Sequence, residues 1–386
     1  MKKYRILLLL SLTVTLALTG CGKDKEKDAE IKETPAPVES TAPAPEESDS
    51  SNTEQAKSDE PPEEGMVRSA MTNDWISPET ASARPIAVMF PTDKGSQPQY
   101  GIGSAGVLYE CMEEGEMSRQ MGVIEQWQDL KQIGNIRSGR DYYVYWSQEW
   151  DAFYIHWGGP FYLREMVDRS DVDNLSAASV GVPGNSSPAL GSEAFYRSDP
   201  KNPTIHNGYT NGEKLTAAIS ALGYETAHRE KYYQPDHFTF ATVSEPNTLE
   251  GAPGVFDAKK IDFSKIFTTT KTSLEYNEEE GVYYKSLYGQ PQIDKLTDKQ
   301  LTFDNVIVQS TYWDYRQDNK YLRFTVKDTT SDGYYFTRGK GIHITWKKTS
   351  DNEPTKYYDD NGNEIVLNTG KTFIGIAQNG REIIYE

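Results

Sequence analysis

The sequence contains little cysteine and little histidine. Its 386 residues include two cysteines, Cys21 and Cys111, and if Cys21 is modified no intramolecular disulfide can form. The five histidines form no H-x-x-x-H pair and accompany no cysteine cluster, so no zinc site is expected. We therefore predict neither a metal ion nor any other cofactor.

Some catalytic signatures and an excess of positive charge are also missing. The sequence contains no G-x-S-x-G motif, which leaves a serine nucleophile of that type without support. The formal net charge is −18, which argues against nucleic acid as a partner. Residues 101–106 fit G-x-G-x-x-G literally, but no ribose-binding acid is evident, and we interpret the segment as a turn.

The N-terminus has the features of a bacterial lipoprotein signal. Three basic residues precede an apolar segment at 6–18 that is too short for a stable membrane span. This segment ends in LTGC at 18–21, which resembles a lipobox. We predict a signal peptide over 1–21 and lipidation of Cys21 by diacylglycerol and palmitate, which would hold the protein on a membrane. A secretory signal with a chance cysteine is the alternative.

Residues 22–65 are expected to form a disordered tether. The segment is rich in proline, glutamate, serine and threonine and has no apolar periodicity. Its fourteen acidic residues and five lysines give a net charge of −9, half the charge of the chain. Repulsion between like charges should extend it and hold the body away from the bilayer.

The body is expected to have an α+β fold made of two folding units. Strands at 84–90, 107–112 and 119–127 and helices at 161–167 and 211–222, with a loop at 179–191, predict an N-terminal mixed α/β layered domain over 83–223. After Gly223 short strands alternate with turn signals, including Asn-Gly pairs at 361–362 and 379–380. We therefore predict a C-terminal antiparallel β-rich domain over 238–386. Its expected strands are 238–243, 271–276, 282–287, 303–311, 321–327, 334–338 and 342–347.

Residues 133–160 carry the densest set of candidate functional residues. Ser138 and Asp141 have the spacing of a capping box, so a helix is expected over 139–150. The apolar run 152–157 is expected to form a buried strand.

The lengths of these two elements predict a site. The helix would rise about 18 Å and the strand about 20 Å. If the two pack antiparallel, Arg137 and Arg140 lie beside His156, near two helix N-termini, which together would favour an anion. The alternative is that the arginines pair with acidic neighbours and that His156 is a hydrogen-bonded core residue.

Several motifs resemble the YerB-like lipoprotein family of low-GC Gram-positive bacteria, a family of unknown function. The resemblance implies a mixed α/β domain, a β-rich domain and lipid anchoring at the outer face of the cytoplasmic membrane, without an activity that can be named. The sequence departs from the pattern at Glu116, where a smaller side chain or a second glycine is expected. The matching motifs are RPIAVMF at 84–90, VLYECMEEGEMSR at 107–119, IGNIRSGRDY at 133–142, DAFYIHWGG at 151–159, FYRSDPKNPTIHN at 195–207, KTSLEYNEEEGVYYKS at 271–286 and GYYFTRGKGIHITWKK at 333–348.

The resemblance adds candidate residues to those predicted from the geometry. We expect the N-terminal domain to bind an anionic small molecule, a cell-wall fragment or a protein partner. The alternative is a hydrolase-like enzyme that acts on an anionic cell-wall substrate through Glu, His and Arg side chains, with catalytic residues unassigned. Cys111 is expected to be buried core rather than a nucleophile. The candidate ligand-binding residues are Glu110, Arg119, Arg137, Ser138, Arg140, His156, His206 and Asn207.

Overall fold

The computed structural model describes residues 58–201, 203–318 and 320–386. The predicted signal peptide, the lipidation site at Cys21 and the tether up to residue 57 lie outside these ranges. Among the described residues, no helix is both long enough and apolar enough to cross a membrane.

The last eight residues of the expected tether, 58–65, contact the body. The carboxylate of Asp59 accepts hydrogen bonds from the backbone N–H groups of Val243 and Ser244 at 2.6 and 2.8 Å. The backbone carbonyl of Ser58 accepts a hydrogen bond from the indole of Trp75 at 2.7 Å. The expected boundary at residue 65 is therefore too late, and ordered structure begins before the predicted domain start at residue 83.

The N-terminal half of the body contains short helices and mostly short strands. Its helices are α1 (Pro78–Ser82), α2 (Asp141–Glu149), α3 (Arg164–Val167) and α4 (Gly212–Leu222). Its strands are β1 (Val67–Arg68), β2 (Trp75–Ile76), β3 (Ile86–Pro91), β4 (Val107–Met112), β5 (Ser118–Ile124), β6 (Ile133–Gly134), β7 (Phe153–His156), β8 (Asn174–Ser176), β9 (Val180–Val182), β10 (Asn185–Ser187), β11 (Tyr196–Arg197) and β12 (Gly208–Thr210).

The C-terminal half consists of strands joined by turns. These strands are β13 (Thr239–Phe240), β14 (Phe256–Asp257), β15 (Lys260–Asp262), β16 (Ser273–Asn277), β17 (Val282–Leu287), β18 (Gln290–Pro291), β19 (Ile293–Asp294), β20 (Lys299–Gln300), β21 (Thr302–Phe303), β22 (Asn305–Thr311), β23 (Trp313–Tyr315), β24 (Leu322–Phe324), β25 (Thr329–Thr337), β26 (Lys340–Lys348), β27 (Lys356–Tyr358), β28 (Val366–Leu367), β29 (Thr372–Gln378) and β30 (Ile384–Tyr385).

One mixed sheet of 11 strands runs through both halves of the body. Its order is β14-β26-β25-β22-β29-β4-β5-β3-β7-β8, with β27 paired to β26. Strands β3, β4, β5 and β29 are buried along their whole length, as expected for strands that are covered on both faces. The body is therefore strand-rich and mixed, in agreement with the broad fold class that the sequence predicts.

Strand β29 joins the two halves. It lies parallel to β22 on one side and parallel to β4 on the other, with Ile374 opposite both Ile307 and Tyr109. The expectation of an antiparallel C-terminal domain is corrected where β22 and β29 pair in parallel. The expectation of two independent folding units also disagrees with a sheet that both halves build.

A second sheet of 6 strands packs in the C-terminal half. Its order is β18-β17-β16-β15-β30, with β21 paired to β17. Exposure alternates along β17, so that Tyr283, Lys285 and Leu287 face inward. At Gly375 in β29, an added Cβ would lie 2.3 Å from the ring of Phe263, a residue that follows β15. A glycine at 375 therefore lets the second sheet approach the main sheet closely.

Local sequence signals are followed in some places and overridden in others. Helix α4 lies within the expected bounds 211–222 and is capped at both ends, because the Asn211 side chain accepts a hydrogen bond from the Lys214 N–H at 2.9 Å and Gly223 has a left-handed backbone. The expected loop at 179–191 contains the β9–β10 hairpin. The Asn-Gly pair at 379–380 does not close a hairpin, because β30 pairs with β15 instead of β29.

The N-terminal segment also packs on a carboxyl group with a shifted pKa. The hydroxyl of Ser69 donates to the carboxylate of Glu125 at 2.8 Å. Burial raises the pKa of Glu125 to about 7, and the nearby charge of Asp74 adds to this effect. The folded state therefore holds a proton on Glu125 that the unfolded chain releases near pH 4.5.

This difference predicts a pH-dependent stability. Because the folded-state pKa is raised, the contribution of Glu125 should be full below about pH 4.5 and should fall as the pH rises to about 7. Glu125→Gln should remove this decline, which we expect to be on the order of 2 kcal/mol for a partly exposed group. Urea unfolding between pH 4.5 and 8 measures it, with the exposed Asp129→Asn as the matched control. Equal pH slopes for the wild type and Glu125→Gln would contradict the assignment.

Candidate functional site

Residues 137–140 run beside β3 and the end of β7. The Arg137 N–H donates to the carbonyl of Met89 in β3, and the Trp157 N–H donates to the carbonyl of Arg137, both at 2.9 Å. The Gly139 N–H donates to the carbonyl of Gly158 at 3.0 Å. The backbone around Arg137 and the end of β7 are thus neighbours, as the lengths of the two elements predicted.

The predicted capping box is wrong. Helix α2 begins at Asp141, two residues after the expected start, and its N-cap residue Arg140 makes no side-chain cap. The Ser138 hydroxyl donates instead to the carbonyl of Trp157 at 3.1 Å. Ser138 therefore fastens the 137–140 segment to the chain that follows β7.

Two of the candidate arginines belong to a closed charge network. Arg119 is bonded to the carboxylate of Glu113, and Arg140 pairs with Glu113 at 2.9 Å and donates to Glu114 from Nε at 3.0 Å. Both arginines also donate to the backbone carbonyl of Ser138. The donors of Arg140 are thus directed at protein acceptors, which is the alternative that the sequence left open for this residue, whereas Arg119 Nε is buried without a hydrogen-bond partner among the described residues.

Burial and charge oppose each other in this network. Burial lowers the pKa of Arg140, but the carboxylates of Glu113 and Glu114 outweigh it and hold that pKa above its usual value. Burial raises the pKa of Glu113, although Arg119 and Arg140 act in the opposite direction. A single substitution here would leave a buried charge without its partner, so we assign the network a structural role.

Arg137 is held less tightly than the other two arginines. Its closest carboxylate is that of Asp93, at 3.8 Å, and its side chain is 19% exposed. Its Nη1 also donates to the carbonyl of Ile205 at 3.5 Å. Burial lowers the pKa of Arg137, and the positive charge of Arg119 lowers it further. Arg137 is therefore the candidate arginine with donor capacity left for another group.

His156 is a core residue. The ring is fully buried and contacts the carbonyl of Gly158 at 2.9 Å and the amide oxygen of Asn174 at 3.3 Å. Burial lowers the pKa of His156. The imidazole is therefore neutral, and both of its nitrogens contact protein atoms. This agrees with the alternative that His156 is a hydrogen-bonded core residue.

Glu110 is fully buried and fully bonded. Its carboxylate accepts hydrogen bonds from Ser118 at 2.7 Å, Gln120 at 2.8 Å and Thr272 at 2.6 Å. Lys285 of β17 completes the set at 2.9 Å, with both side chains completely buried. Glu110 and His156 share no hydrogen-bond partner among the described residues, which removes the geometric support for the acid/base pair of the hydrolase alternative.

His206 and Asn207 lie beside the turn that follows β3. An added Cβ at Gly95 would lie 3.4 Å from the His206 ring, which places that ring against the turn. The Asn207 amide oxygen accepts a hydrogen bond from the Thr204 N–H at 3.0 Å. Since the Ile205 carbonyl accepts a hydrogen bond from Arg137, this loop lies beside Arg137, and the buried Nδ1 of His206 has no hydrogen-bond partner among the described residues.

Cys111 and Glu116 agree with their sequence-based interpretations. Cys111 is buried in the core, and burial raises the pKa of its thiol well above the usual value, which makes it a poor nucleophile. Glu116 has a left-handed backbone, with φ of 58°, a conformation that favours glycine. Its carboxylate accepts a hydrogen bond from Thr268 at 2.8 Å, which ties this turn to the C-terminal half.

A cavity of about 580 Å³ opens next to Asp93, between the two halves of the body. We call it the lysine cavity. Neither Lys94 nor Lys271 forms an ion pair with a described carboxylate, whereas Asp93 is engaged by Arg137. Because the charges of Arg137 and Asp93 cancel, the positive charges of Lys94 and Lys271 remain at this cavity. Its lining residues are Asp93, Lys94, Met117, Thr269, Lys271 and Tyr288.

The lysines of this cavity could not be identified from the sequence. Lys94 lies in a polar turn and Lys271 at the start of a predicted strand, and neither position has a local pattern that points to a site. A signal did exist for Lys285, because a strand that alternates as VYYKSL places this lysine on the same face as Tyr283 and Leu287. A lysine on an inward face needs a buried acidic partner.

The arrangement supports binding better than catalysis. The lysine cavity offers cationic side chains at a solvent-accessible place, whereas Glu110, Cys111 and His156 are buried. Among the described residues, no group of three or more His, Cys, Asp or Glu side chains is placed to hold a metal ion.

Comparison with known proteins gives concordant matches. Residues 71–225 match the N-terminal domain and residues 261–374 the C-terminal domain of DUF3048, a protein family of unknown function. The Bacillus subtilis protein named "Putative lipoprotein YerB" is 23% identical over 296 residues, which is 76% of this chain and 81% of the relative. The crystal structure of Bacillus subtilis YerB superposes with a TM-score of 0.66 at 19% identity, over 82% of this chain and 99% of the other. These matches confirm the predicted YerB-like resemblance and the common fold.

The buried pair of Glu110 and Lys285 predicts an asymmetric mutational response. Lys285→Met should lower the free energy of unfolding by about 3–5 kcal/mol, because it leaves the Glu110 carboxylate buried without a counter-charge. The double variant Glu110→Gln/Lys285→Met should recover much of this loss, because no unpaired charge remains. Chemical denaturation at pH 7 measures both.

The matched control is Lys259→Gln, because Lys259 pairs with Glu278 at the surface with both side chains well exposed. It should leave stability unchanged. A Lys285→Met variant as stable as this control would show that the pair does not hold the halves together.

Proposed function

The chain belongs to the two-domain DUF3048 family, and from this premise we propose that it is a lipid-anchored envelope protein that binds an anionic ligand in the lysine cavity. The lipoprotein signal at 1–21 supports the anchor, as does the name of the Bacillus subtilis relative. Cys21 is the proposed lipidation site. The proposed location is the outer face of the cytoplasmic membrane in a Gram-positive envelope.

The observation that carries the binding proposal is a pair of lysines, Lys94 and Lys271, that line one cavity and form no ion pair with a described carboxylate. Lys94 comes from the turn after β3, and Lys271 from the segment before β16, so the two halves each supply one. Two lysines that line one cavity, with no described carboxylate paired to either, form a local positive potential that attracts an anion.

The backbone at the cavity supports the same proposal. Lys271 and Tyr288 both have left-handed backbones, with φ of 48° and 57°, a conformation that costs about 1–2 kcal/mol for a residue with a Cβ. The Tyr288 N–H donates to the carbonyl of Thr270 at 2.6 Å, which holds the two residues near one another. Strained residues that are kept in place by their surroundings are common at ligand sites.

The arginine network has a supporting role in this proposal. Arg119 and Arg140 form ion pairs with Glu113 and Glu114. These ion pairs stabilise the N-terminal half near Arg137. Arg137 is in contact with Asp93, a residue that lines the lysine cavity. This contact is long, so Arg137 can exchange it for a contact with a bound anion. When an anion enters, the guanidinium of Arg137 can approach it in a bidentate manner.

Binding of inorganic phosphate and of citrate tests this function. Both anions should bind to the wild type, with an affinity that decreases as salt is added. The double variant Lys94→Gln/Lys271→Gln should weaken binding by about tenfold or more, equivalent to ~1.4 kcal/mol, without lowering the melting temperature. Isothermal titration calorimetry measures the affinities.

The matched control is Lys265→Gln, because Lys265 is exposed on the same segment but does not line the cavity. It should bind both anions as the wild type does. Equal affinities for the double variant and this control would refute binding in the lysine cavity.

A further inference from the structure

A second cavity, of about 630 Å³, adjoins the lysine cavity. The two share Lys94 and Tyr288 as lining residues, so a molecule in one cavity borders the other. Volumes of this size are typical of sites for small organic molecules. We call the second space the apolar cavity, after the four residues Pro98, Leu287, Pro291 and Ile293 in its wall.

The walls of the two cavities differ in chemistry. The apolar cavity receives Pro98 from the N-terminal half and the other three apolar residues from β17, β18 and β19. Leu287 is 3% exposed, whereas Pro98 and Pro291 are exposed to solvent. Exposed apolar side chains that converge on one concave surface gain free energy when an apolar group covers them.

Lys94 and Tyr288 mark the boundary between the two cavities. The ammonium group of Lys94 lies 4.8 Å from the ring centroid of Tyr288, a cation–π contact. Burial raises the pKa of Tyr288 to about 12, so its phenol is neutral at physiological pH. The ring therefore offers an apolar face to one side and the lysine a positive charge to the other.

We propose that the ligand is a single-chain anionic amphiphile, with its phosphate or carboxylate in the lysine cavity and its hydrocarbon chain in the apolar cavity. This inference rests on the proposed anion-binding function and specifies the ligand class. A small inorganic anion leaves the apolar wall exposed, and an uncharged hydrocarbon leaves the two lysines unpaired. A molecule that joins both chemistries satisfies both walls at once.

An ion pair in the wall of the apolar cavity limits the length of the bound hydrocarbon chain. Lys295 and Asp298 line this cavity and pair with each other at 2.6 Å. A chain that reaches this pair would have to displace it or turn into solvent. Affinity should therefore rise with chain length and then stop rising.

Alkyl phosphates of increasing length test the proposal. Calorimetry measures the titration of the full chain with ethyl, butyl, hexyl and octyl phosphate. Each compound is used below its critical micelle concentration. Affinity should rise by up to about fourfold for each methylene that enters the cavity, the equivalent of ~0.8 kcal/mol. The Lys94→Gln/Lys271→Gln variant should bind every member of the series more weakly by a similar factor.

Neutral substitutions in the wall separate the apolar contribution from the charge. Ile293→Thr keeps the branched shape of a strand residue, and Pro291→Ser changes an exposed residue, so neither should unfold the protein. Each substitution should reduce the increase in affinity from ethyl to octyl phosphate by about threefold or more. Leu296→Thr is the control, because Leu296 is 39% exposed on the same loop but does not line the cavity.

The outcomes distinguish this inference from the function on which it rests. Lysine-dependent binding with no dependence on chain length would overturn the amphiphile and leave anion binding intact. Absence of binding by every alkyl phosphate and by inorganic phosphate would overturn both. A chain-length gain that is the same in Ile293→Thr, Pro291→Ser and Leu296→Thr would show non-specific adsorption and would also overturn the amphiphile.

Discussion

The contact between Lys285 and Glu110 is the constraint on which the arrangement of the body depends. A lysine and a glutamate that are both completely buried are stable only while each has the other and enough hydrogen bonds. Ser118 and Gln120 on the N-terminal side and Thr272 on the C-terminal side supply those hydrogen bonds. The two halves must therefore meet in one register for the charges to be satisfied.

A second buried pair acts in the same way at another place. Glu149 at the end of α2 contacts Lys348 at the end of β26 at 3.0 Å, with both side chains completely buried. Thr355 also donates to Glu149, at 2.7 Å. Although burial opposes it, the positive charge of Lys348 holds the pKa of Glu149 at about 2. Together with the shared sheet, these two pairs make the halves interdependent and fix the position of the cavities between them.

The sequence predicts most of the longer elements, although not β29, and little of their pairing. Strands β4 and β17 have the predicted bounds, and α4 begins and ends within a residue of its prediction, because periodicity and caps are local signals. The parallel pairing of β29 with β4 could not be predicted, because the two strands are far apart in the chain. The sequence of an apolar strand does not indicate which strand it pairs with. The capping box failed because the Ser138 hydroxyl found the Trp157 carbonyl, a contact that only the folded chain provides.

The candidate site was predicted with the same limits. The neighbourhood of Arg137 and the end of β7 followed from element lengths, but lengths do not reveal which acids lie nearby. In the structure, Glu113 and Glu114 form ion pairs with Arg140. The lysine cavity is visible only after the halves are joined, because Lys94 and Lys271 come from different halves of the chain.

Calorimetric unfolding of the body from Ser58 to Glu386 tests the central claim that the two halves form one cooperative unit. A shared sheet with two buried ion pairs across the junction predicts a single transition, with equal calorimetric and van't Hoff enthalpies. Lys285→Met should lower the temperature of that single transition. Two resolved transitions in the wild type, one for each half, would contradict the account.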